Sequence, residues 1–178
     1  MNAQRVLDTF LDLVRIDSPS TKEAGVARYC ADALRACGCE VEFDQGGLDA
    51  GSDTGNIYAV LPGTAPGSVI FTAHMDCVPP CCGVEPIITD GVIHTDASTV
   101  LGGDDKVGDA AIIEAVRSLV EGDEPYCTVK IVLTVQEEVG CCGAKALSAG
   151  DFEPDEPCFV FDMDGNPGGV TVGAPYHY

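Results

Sequence analysis

The segment Val69-Ile-Phe-Thr-Ala-His74-Met-Asp76 decides the fold, because it joins a core strand to polar groups. Residues 69–73 form a short apolar run rich in β-formers, which is typical of a buried strand. An imidazole follows this run directly, and a carboxylate comes two residues later. Ligands of open α/β sheets bind at the ends of strands. The segment therefore predicts a strand that leads into a binding site.

Helical and strand patterns alternate along the chain around this segment. Helices are predicted at 3–16, 24–36, 109–120 and 144–149. Strands are predicted at 40–43, 56–61, 69–73, 127–135, 158–161 and 169–173, with a hairpin of 86–89 and 92–95. Thr21 is expected to cap the second helix and Gly38 to end it. The alternation predicts an α/β fold, a three-layer α/β/α sandwich with a mixed sheet.

Length and charge limit the class of protein. A chain of 178 residues fits one domain with a sizeable core, and 46% hydrophobic and 21% charged residues are ordinary for a globular protein. The net charge of −20 disfavours nucleic acid, whose phosphates would be repelled. No apolar stretch is long enough for a membrane helix, and no secretory signal is visible. The acidic surplus fits either a solvated surface or carboxylates gathered around metal ions.

The ten cysteines allow structural thiols, disulfides or a metal site. They do not form paired Cys-x-x-Cys motifs, and several lie in apolar surroundings, where a free thiol acts as a small hydrophobic group. Buried structural thiols are therefore the favoured interpretation, with a cysteine-based metal store or redox protein as an alternative. A reducing cytoplasm fits free thiols without a secretory signal.

Four polar clusters occur at successive turns, and three of them directly follow apolar strands. They are His74 with Asp76, Asp104 with Asp105, Glu137 with Glu138, and Asp162 with Asp164. If these clusters converge, the carboxylates would repel one another and raise each other's pKa values. A pair of divalent cations would remove that conflict. Imidazole and carboxylate ligands fit Zn²⁺, with Mn²⁺ and Co²⁺ as alternatives.

Each of the four clusters belongs to a longer sequence motif. His74-Met-Asp76, Gly103-Asp-Asp-Lys-Val-Gly108, Glu137-Glu-Val-Gly140 and Met163-Asp-Gly165 resemble, in order and spacing, the motifs of peptidase T-like enzymes. These enzymes belong to the aminoacylase, carboxypeptidase and peptidase T group of co-catalytic di-zinc metallopeptidases. The resemblance runs from the first predicted helix to the last residue, and the four motifs are specific only as a set.

The resemblance implies a ligand set for two metal ions. His74 and Asp164 would bind one ion, Glu138 would bind the other, and Asp104 would bridge both. Asp164 is ranked above Asp162 because its Asp-Gly pair matches the motif, which leaves Asp162 as a supporting acid.

The resemblance also implies catalytic roles. Glu137 would act as general base, taking a proton from the metal-bridging water and returning it to the leaving amine. Asp76 would hold the His74 ring in one tautomer. Glu137 and Glu138 need a turn to serve one site, because neighbouring strand residues point in opposite directions, and Gly140 favours that turn.

Three further positions complete the expectations at the site. The peptide at the position of Asp104-Asp105 is often cis in the group. His94 lies in the predicted hairpin and His177 lies outside every motif, so both are interpreted as surface residues.

Members of the group are considerably longer than this chain. Residues 1–166 would correspond to the N-terminal part of the catalytic domain, and residues 167–178 to the start of a lid or dimerisation domain. The terminal histidine ligand and the lid histidine have no counterpart among the 178 residues, so the second metal would have only Asp104 and Glu138. Weak or no activity is expected of this chain alone, and the full-length form is expected to be a homodimer.

The expected function is a metal-dependent exopeptidase, tripeptidase- or aminopeptidase-like, that hydrolyses short peptides. One alternative is a related amidohydrolase or deacylase of the same group. Another is a non-catalytic interaction module that retains the ligands.

Overall fold

The computed structural model describes residues 1–148, 150, 152–153, 155–163, 165 and 168–173. Its helices are α1 (Ala3–Val14), α2 (Ala24–Ala36), α3 (Gly46–Asp49), α4 (Gly103–Glu121) and α5 (Cys142–Lys145). Its strands are β1 (Glu40–Phe43), β2 (Ile57–Leu61), β3 (Ser68–His74), β4 (Ile87–Thr89), β5 (Val92–His94), β6 (Thr128–Thr134) and β7 (Cys158–Val160).

Five of the strands form one mixed sheet in the order β1-β2-β6-β3-β7. Strand β3 runs parallel to both β6 and β7, whereas β2 runs antiparallel to β6 and to β1. The parallel register pairs His74 with Thr134, the last residues of β3 and β6. The carboxyl ends of three strands therefore meet at one edge of the sheet, where ligands of such sheets bind. Strands β4 and β5 form a separate hairpin.

Three helices cover one face of the sheet. Helix α4 packs against α1, α2 and β3, and α2 also contacts β1 and β2. The core between them is formed by fully buried aliphatic side chains, among them Leu13, Leu34, Ile57, Ile112, Ile131 and Leu133. Burial alternates along β2, as expected for a strand with one face against helices, whereas the last four residues of β6 are all buried.

The other face of the sheet is contacted by the segment that precedes β7. Phe152 stacks on Tyr58 of β2, with ring centroids 6.5 Å apart. Lys130 of β6 donates to Glu156 over 2.9 Å. These contacts fix β7 beside β3 and so position the residues that follow it.

The predicted α/β architecture with a mixed sheet is confirmed, and most predicted elements lie within two residues of the observed ones. Gly38 ends α2 with a φ of +88°, as predicted. Helix α5 begins and ends earlier than predicted. Residues 169–173 are not a strand in the structure. The domain division at 166/167 stays a prediction, and residues 174–178, with His177, lie outside the described residues.

The predicted cap of α2 is wrong. The first N–H of the helix, that of Ala24, donates to Asp53 over 3.0 Å. Thr21 has a φ of +77° and donates its own N–H to the Glu23 carboxylate over 2.8 Å. The carboxylates of Glu23 and Asp53 therefore accept the N–H groups in this region, and the Thr21 hydroxyl does not cap the helix.

All ten cysteines are free thiols. Four are buried, namely Cys30, Cys39, Cys77 and Cys81, and the others are half-buried or exposed, so structural burial accounts for only part of the set. His94 is exposed in the β4–β5 hairpin, as predicted. Among the described residues, no helix combines the length and the apolar character that crossing a bilayer requires.

Candidate metal centre

The site lies at the carboxyl ends of the parallel strands and at the beginning of α4. His74 is the last residue of β3, and Glu137 and Glu138 follow β6. Asp162 comes two residues after the end of β7. The topology therefore brings together side chains that are far apart in sequence, as the polar clusters predicted.

The first group consists of His74, Asp104 and Glu138. One ligand atom from each lies within 4.8 Å of the others, and Nε2 of His74 is 2.9 Å from an Asp104 oxygen. His74 is buried, Glu138 is half-buried and Asp104 is exposed. The site is therefore open to solvent on the side of Asp104, whereas its imidazole is buried.

The second group shares His74 and adds Asp105 and Asp162, again with ligand atoms within 4.8 Å of one another. Asp105 is buried, and its carboxylate accepts the N–H groups of His74 and Gly108 over 3.3 and 3.2 Å. Together, the two groups therefore place four carboxylates near the imidazole of His74.

Helix α4 has an irregular start, which contains Asp104 and Asp105. The peptide between Asp104 and Asp105 is cis, as the resemblance implied. Both residues have non-helical dihedral angles, although the helix is assigned from Gly103. Regular helical geometry therefore begins only at Lys106, three residues before the predicted start at 109.

Asp76 connects two parts of the site from a fully buried position. Its carboxylate lies 3.3 Å from Nδ1 of His74 and accepts the N–H groups of Glu137 and Glu138 over 2.8 and 3.2 Å. The Ser20 hydroxyl donates to the same carboxylate over 2.6 Å. Burial would raise the pKa of Asp76, but the hydrogen bonds from His74, Ser20 and Glu137 outweigh it and lower that pKa.

The backbone turns sharply between β6 and α5, as the neighbouring pair Glu137 and Glu138 required. Gln136 has a φ of +54° and Gly140 a φ of +113°. The N–H of Gln136 donates to the buried carboxylate of Glu23 over 3.1 Å. Three successive N–H groups, those of residues 136–138, are thus accepted by two carboxylates from other segments.

Glu137, the predicted general base, has a thiol neighbour. The Sγ of Cys141 donates to a Glu137 carboxylate oxygen over 3.2 Å. Both residues are half-buried, so the carboxylate is within reach of solvent and of the site. Burial and the neighbouring Asp104 raise the pKa of Glu138.

The acid groups crowd one another, and this tests whether the residues fit a metal ion. Burial, Asp109 and Asp162 raise the pKa of Asp105 to about 8, despite the opposing effect of His74. Burial lowers the pKa of His74, but hydrogen bonds with Asp76 and Asp104 outweigh it and raise that pKa to about 10. Protons compete with a divalent cation for such groups, and ligand sets of this kind bind metal by releasing protons. The donor set of one imidazole and several carboxylates fits Zn²⁺, Mn²⁺ or Co²⁺.

Asp164, the predicted fourth ligand, lies outside the described residues. Among the described residues, the structure brings Asp162, the aspartate that the motifs ranked second, close to His74. One signal could have identified it, since Asp162 is the first carboxylate after β7 just as His74 stands at the end of β3. Glu23, Ser20 and Cys141 had no sequence signal, because their partners in the site are distant or belong to irregular backbone. Within the described residues, neither candidate metal group contains a cysteine.

Comparison with known proteins supports the same assignment. The sequence profile of the M42 glutamyl aminopeptidases matches residues 92–165. The uncharacterized protein YqjE of Bacillus subtilis is 38% identical over 176 residues, which cover 98% of this chain and 47% of that protein.

Two solved structures share the fold at high similarity. Aminopeptidase PepT from Bacillus cereus superposes with a TM-score of 0.88 at 37% identity, and a tripeptidase from Staphylococcus aureus with a TM-score of 0.85 at 34% identity. Each comparison covers 93% of this chain and 44% of the solved chain. The chain thus has the catalytic-domain fold of zinc exopeptidase-like enzymes and spans less than half the length of these relatives.

Within this class the sequence is peptidase T-like. Proteins named peptidase T also match it along most of its length. The chain is therefore similar to peptidase T-like sequences over most of its length, as its motifs predicted.

Proposed function

We propose that this chain carries the metal-binding and proton-transferring groups of a metal-dependent exopeptidase that acts on short peptides. The observation that supports this proposal most is the convergence of His74, Asp104 and Glu138, whose ligand atoms lie within 4.8 Å of one another. Related sequences named for tripeptidase and aminopeptidase activity support the substrate class.

The metal ions would be held by the groups around His74. Asp104 and Glu138 would complete one set, and Asp162 is the described carboxylate beside His74 on the other side. Asp164 stays a predicted ligand. When bound, divalent ions would lower the pKa of water and polarise the carbonyl of the peptide. His74 would bind one ion through Nε2, because Nδ1 faces Asp76, and a second ion would depend on the carboxylates. Zn²⁺ is favoured, with Mn²⁺ or Co²⁺ as alternatives.

Glu137 would move the proton. As general base it would accept the proton of the attacking water and then deliver it to the leaving amine. The carboxylate of Asp76 would keep His74 in one orientation and would hold the backbone of Glu137 through the 2.8 Å hydrogen bond. The thiol of Cys141 would orient the Glu137 carboxylate by its hydrogen bond.

The wider properties of the protein belong to the same proposal. We expect a cytoplasmic protein whose full-length form is a homodimer, and weak peptide turnover from the 178 residues alone. The free state of all ten thiols supports the reducing compartment.

Metal content tests the proposal directly. Elemental analysis of the purified wild-type chain is expected to give one or more Zn or Mn ions per chain. Asp104→Ala is expected to lose them because it removes the bridging carboxylate, whereas Asp123→Ala, at an exposed position after α4, serves as the matched control and retains them.

Two results would overturn the assignment. Wild-type chain that takes up no metal after reconstitution would favour the interaction-module alternative. Metal that persists in Asp104→Ala and is released by cysteine alkylation would move the site to the thiols.

A further inference from the structure

The turn that carries Glu137 and Glu138 depends on another part of the chain. Strand β6 ends at Thr134, and the left-handed φ of +54° at Gln136 takes the backbone out of the sheet. The N–H of Gln136 then donates to Oε1 of Glu23 over 3.1 Å. Glu23 therefore holds the peptide that immediately precedes the two site carboxylates.

Glu23 is well suited to hold this peptide. Its side chain is 0% exposed and accepts hydrogen bonds from three segments, through the N–H of Thr21, the hydroxyl of Ser52 and the N–H of Gln136. A carboxylate only accepts, so it can serve several donors at once. Among the described residues no Lys, Arg or His forms an ion pair with it, so donors alone fix its place.

The same oxygen of Glu23 serves two of these donors. Oε1 accepts from both Thr21 and Gln136, whereas Oε2 accepts from Ser52. The contact with Ser52 ties Glu23 to the loop before β2 and does not involve the site. Glu23 thus makes one hydrogen bond toward the site, with Gln136, and a separate one away from the site, with Ser52.

We propose that Glu23 is a positioning residue that fixes where Glu137 and Glu138 point, through the backbone of Gln136. This inference rests on the proposed function, because it assigns Glu23 to the same site. Alanine in place of Glu23 would remove both acceptor oxygens, and the Gln136 N–H would lose its anchor. Displacement of a site group by about 1 Å is enough to impair a binding constellation.

The experiment compares Glu23→Ala with Ser52→Ala. Ser52→Ala removes a hydrogen bond to the same carboxylate but leaves the contact with Gln136, so it is the matched control for a purely structural role. Co²⁺ is titrated into each metal-free chain and followed by its visible absorption. Glu23→Ala is expected to weaken Co²⁺ binding by about 10-fold or more and to change the spectrum. Ser52→Ala is expected to keep the wild-type affinity and spectrum.

A second measurement does not depend on metal. Amide hydrogen exchange, read by NMR, is expected to become faster at residues 136–138 in Glu23→Ala and to stay slow there in Ser52→Ala. If Glu23→Ala does not fold, Glu23→Asp is measured in the same way, because it keeps the charge but shortens the side chain.

The outcomes separate the two proposals. Equal Co²⁺ affinity and equal exchange in the Glu23 and Ser52 variants would overturn the positioning role. Wild-type chain that binds no Co²⁺ would be a failure of the proposed function instead, and exchange at residues 136–138 would then decide alone whether Glu23 holds the turn.

Discussion

Two carboxylates near His74 are equally buried and differ in almost everything else. Asp76 and Asp109 are both 0% exposed. Asp76 accepts from Ser20 and from two backbone N–H groups, and its pKa is lowered. In the part of the chain that the structure describes, neither oxygen of Asp109 has a hydrogen-bond partner, and burial raises its pKa to about 8. Partners, rather than burial, therefore distinguish a carboxylate that organises a site from one that destabilises the fold.

The same substitution should have opposite effects on stability at the two positions, and the larger effect is a loss at Asp76. Asp76→Asn removes the charge and replaces one acceptor oxygen by an NH₂ donor that faces a backbone N–H group in either orientation of the amide. The free energy of unfolding is therefore expected to fall by about 4 kcal/mol. Urea unfolding followed by circular dichroism measures this. A loss no greater than that of an exposed Asp→Asn change would show that these hydrogen bonds contribute little.

Asp109→Asn is expected to stabilise the protein at pH 8. The folded pKa of about 8 lies above the unfolded value of 3.8, so the folded state holds the proton more tightly and stability falls as pH rises between these values. Between pH 5 and pH 8 this single group should cost the wild type about 3 kcal/mol that the variant does not lose. Urea unfolding of both chains at the two pH values measures the difference. Parallel pH profiles would mean that Asp109 has a partner or a normal pKa.

The smallest effect is expected from removing one partner of Asp76. Ser20→Ala deletes the 2.6 Å hydrogen bond but leaves both backbone donors, so the loss of stability should be about 1 kcal/mol. Thr54→Ala, at a half-buried position, is a control of similar size. A loss in Ser20→Ala as large as in Asp76→Asn would mean that the hydroxyl, and not the backbone of residues 137–138, stabilises the carboxylate.

The regular elements could be predicted because their signals are local. Short runs of apolar β-forming residues identified β2, β3 and β6, and glycine placed the end of α2. The prediction of the α2 cap failed because the N–H of Ala24 donates to Asp53, which lies 29 residues further along the chain. Non-local hydrogen bonds leave no pattern in a window of sequence.

The candidate site was predicted in part. His74, Asp104 and Glu138 converge as the motifs indicated, since each lies at a strand end or at the beginning of a helix. Asp162 was ranked second because the Asp164-Gly165 pair matches the motif, and Asp164 stays a predicted ligand since it lies outside the described residues. Glu23 was missed because 113 residues separate it from Gln136.

The position of β6 in the sheet has a consequence for biosynthesis. This strand lies between β2 and β3 and hydrogen-bonds to both, yet it follows them in the chain, after the hairpin and α4. A polypeptide leaving the ribosome therefore exposes two apolar strands before the strand that joins them has been translated. Exposed strands of this kind are where newly made chains associate wrongly and where chaperones act. Strands β2 and β3 can become part of one sheet only once Thr134 has left the ribosome.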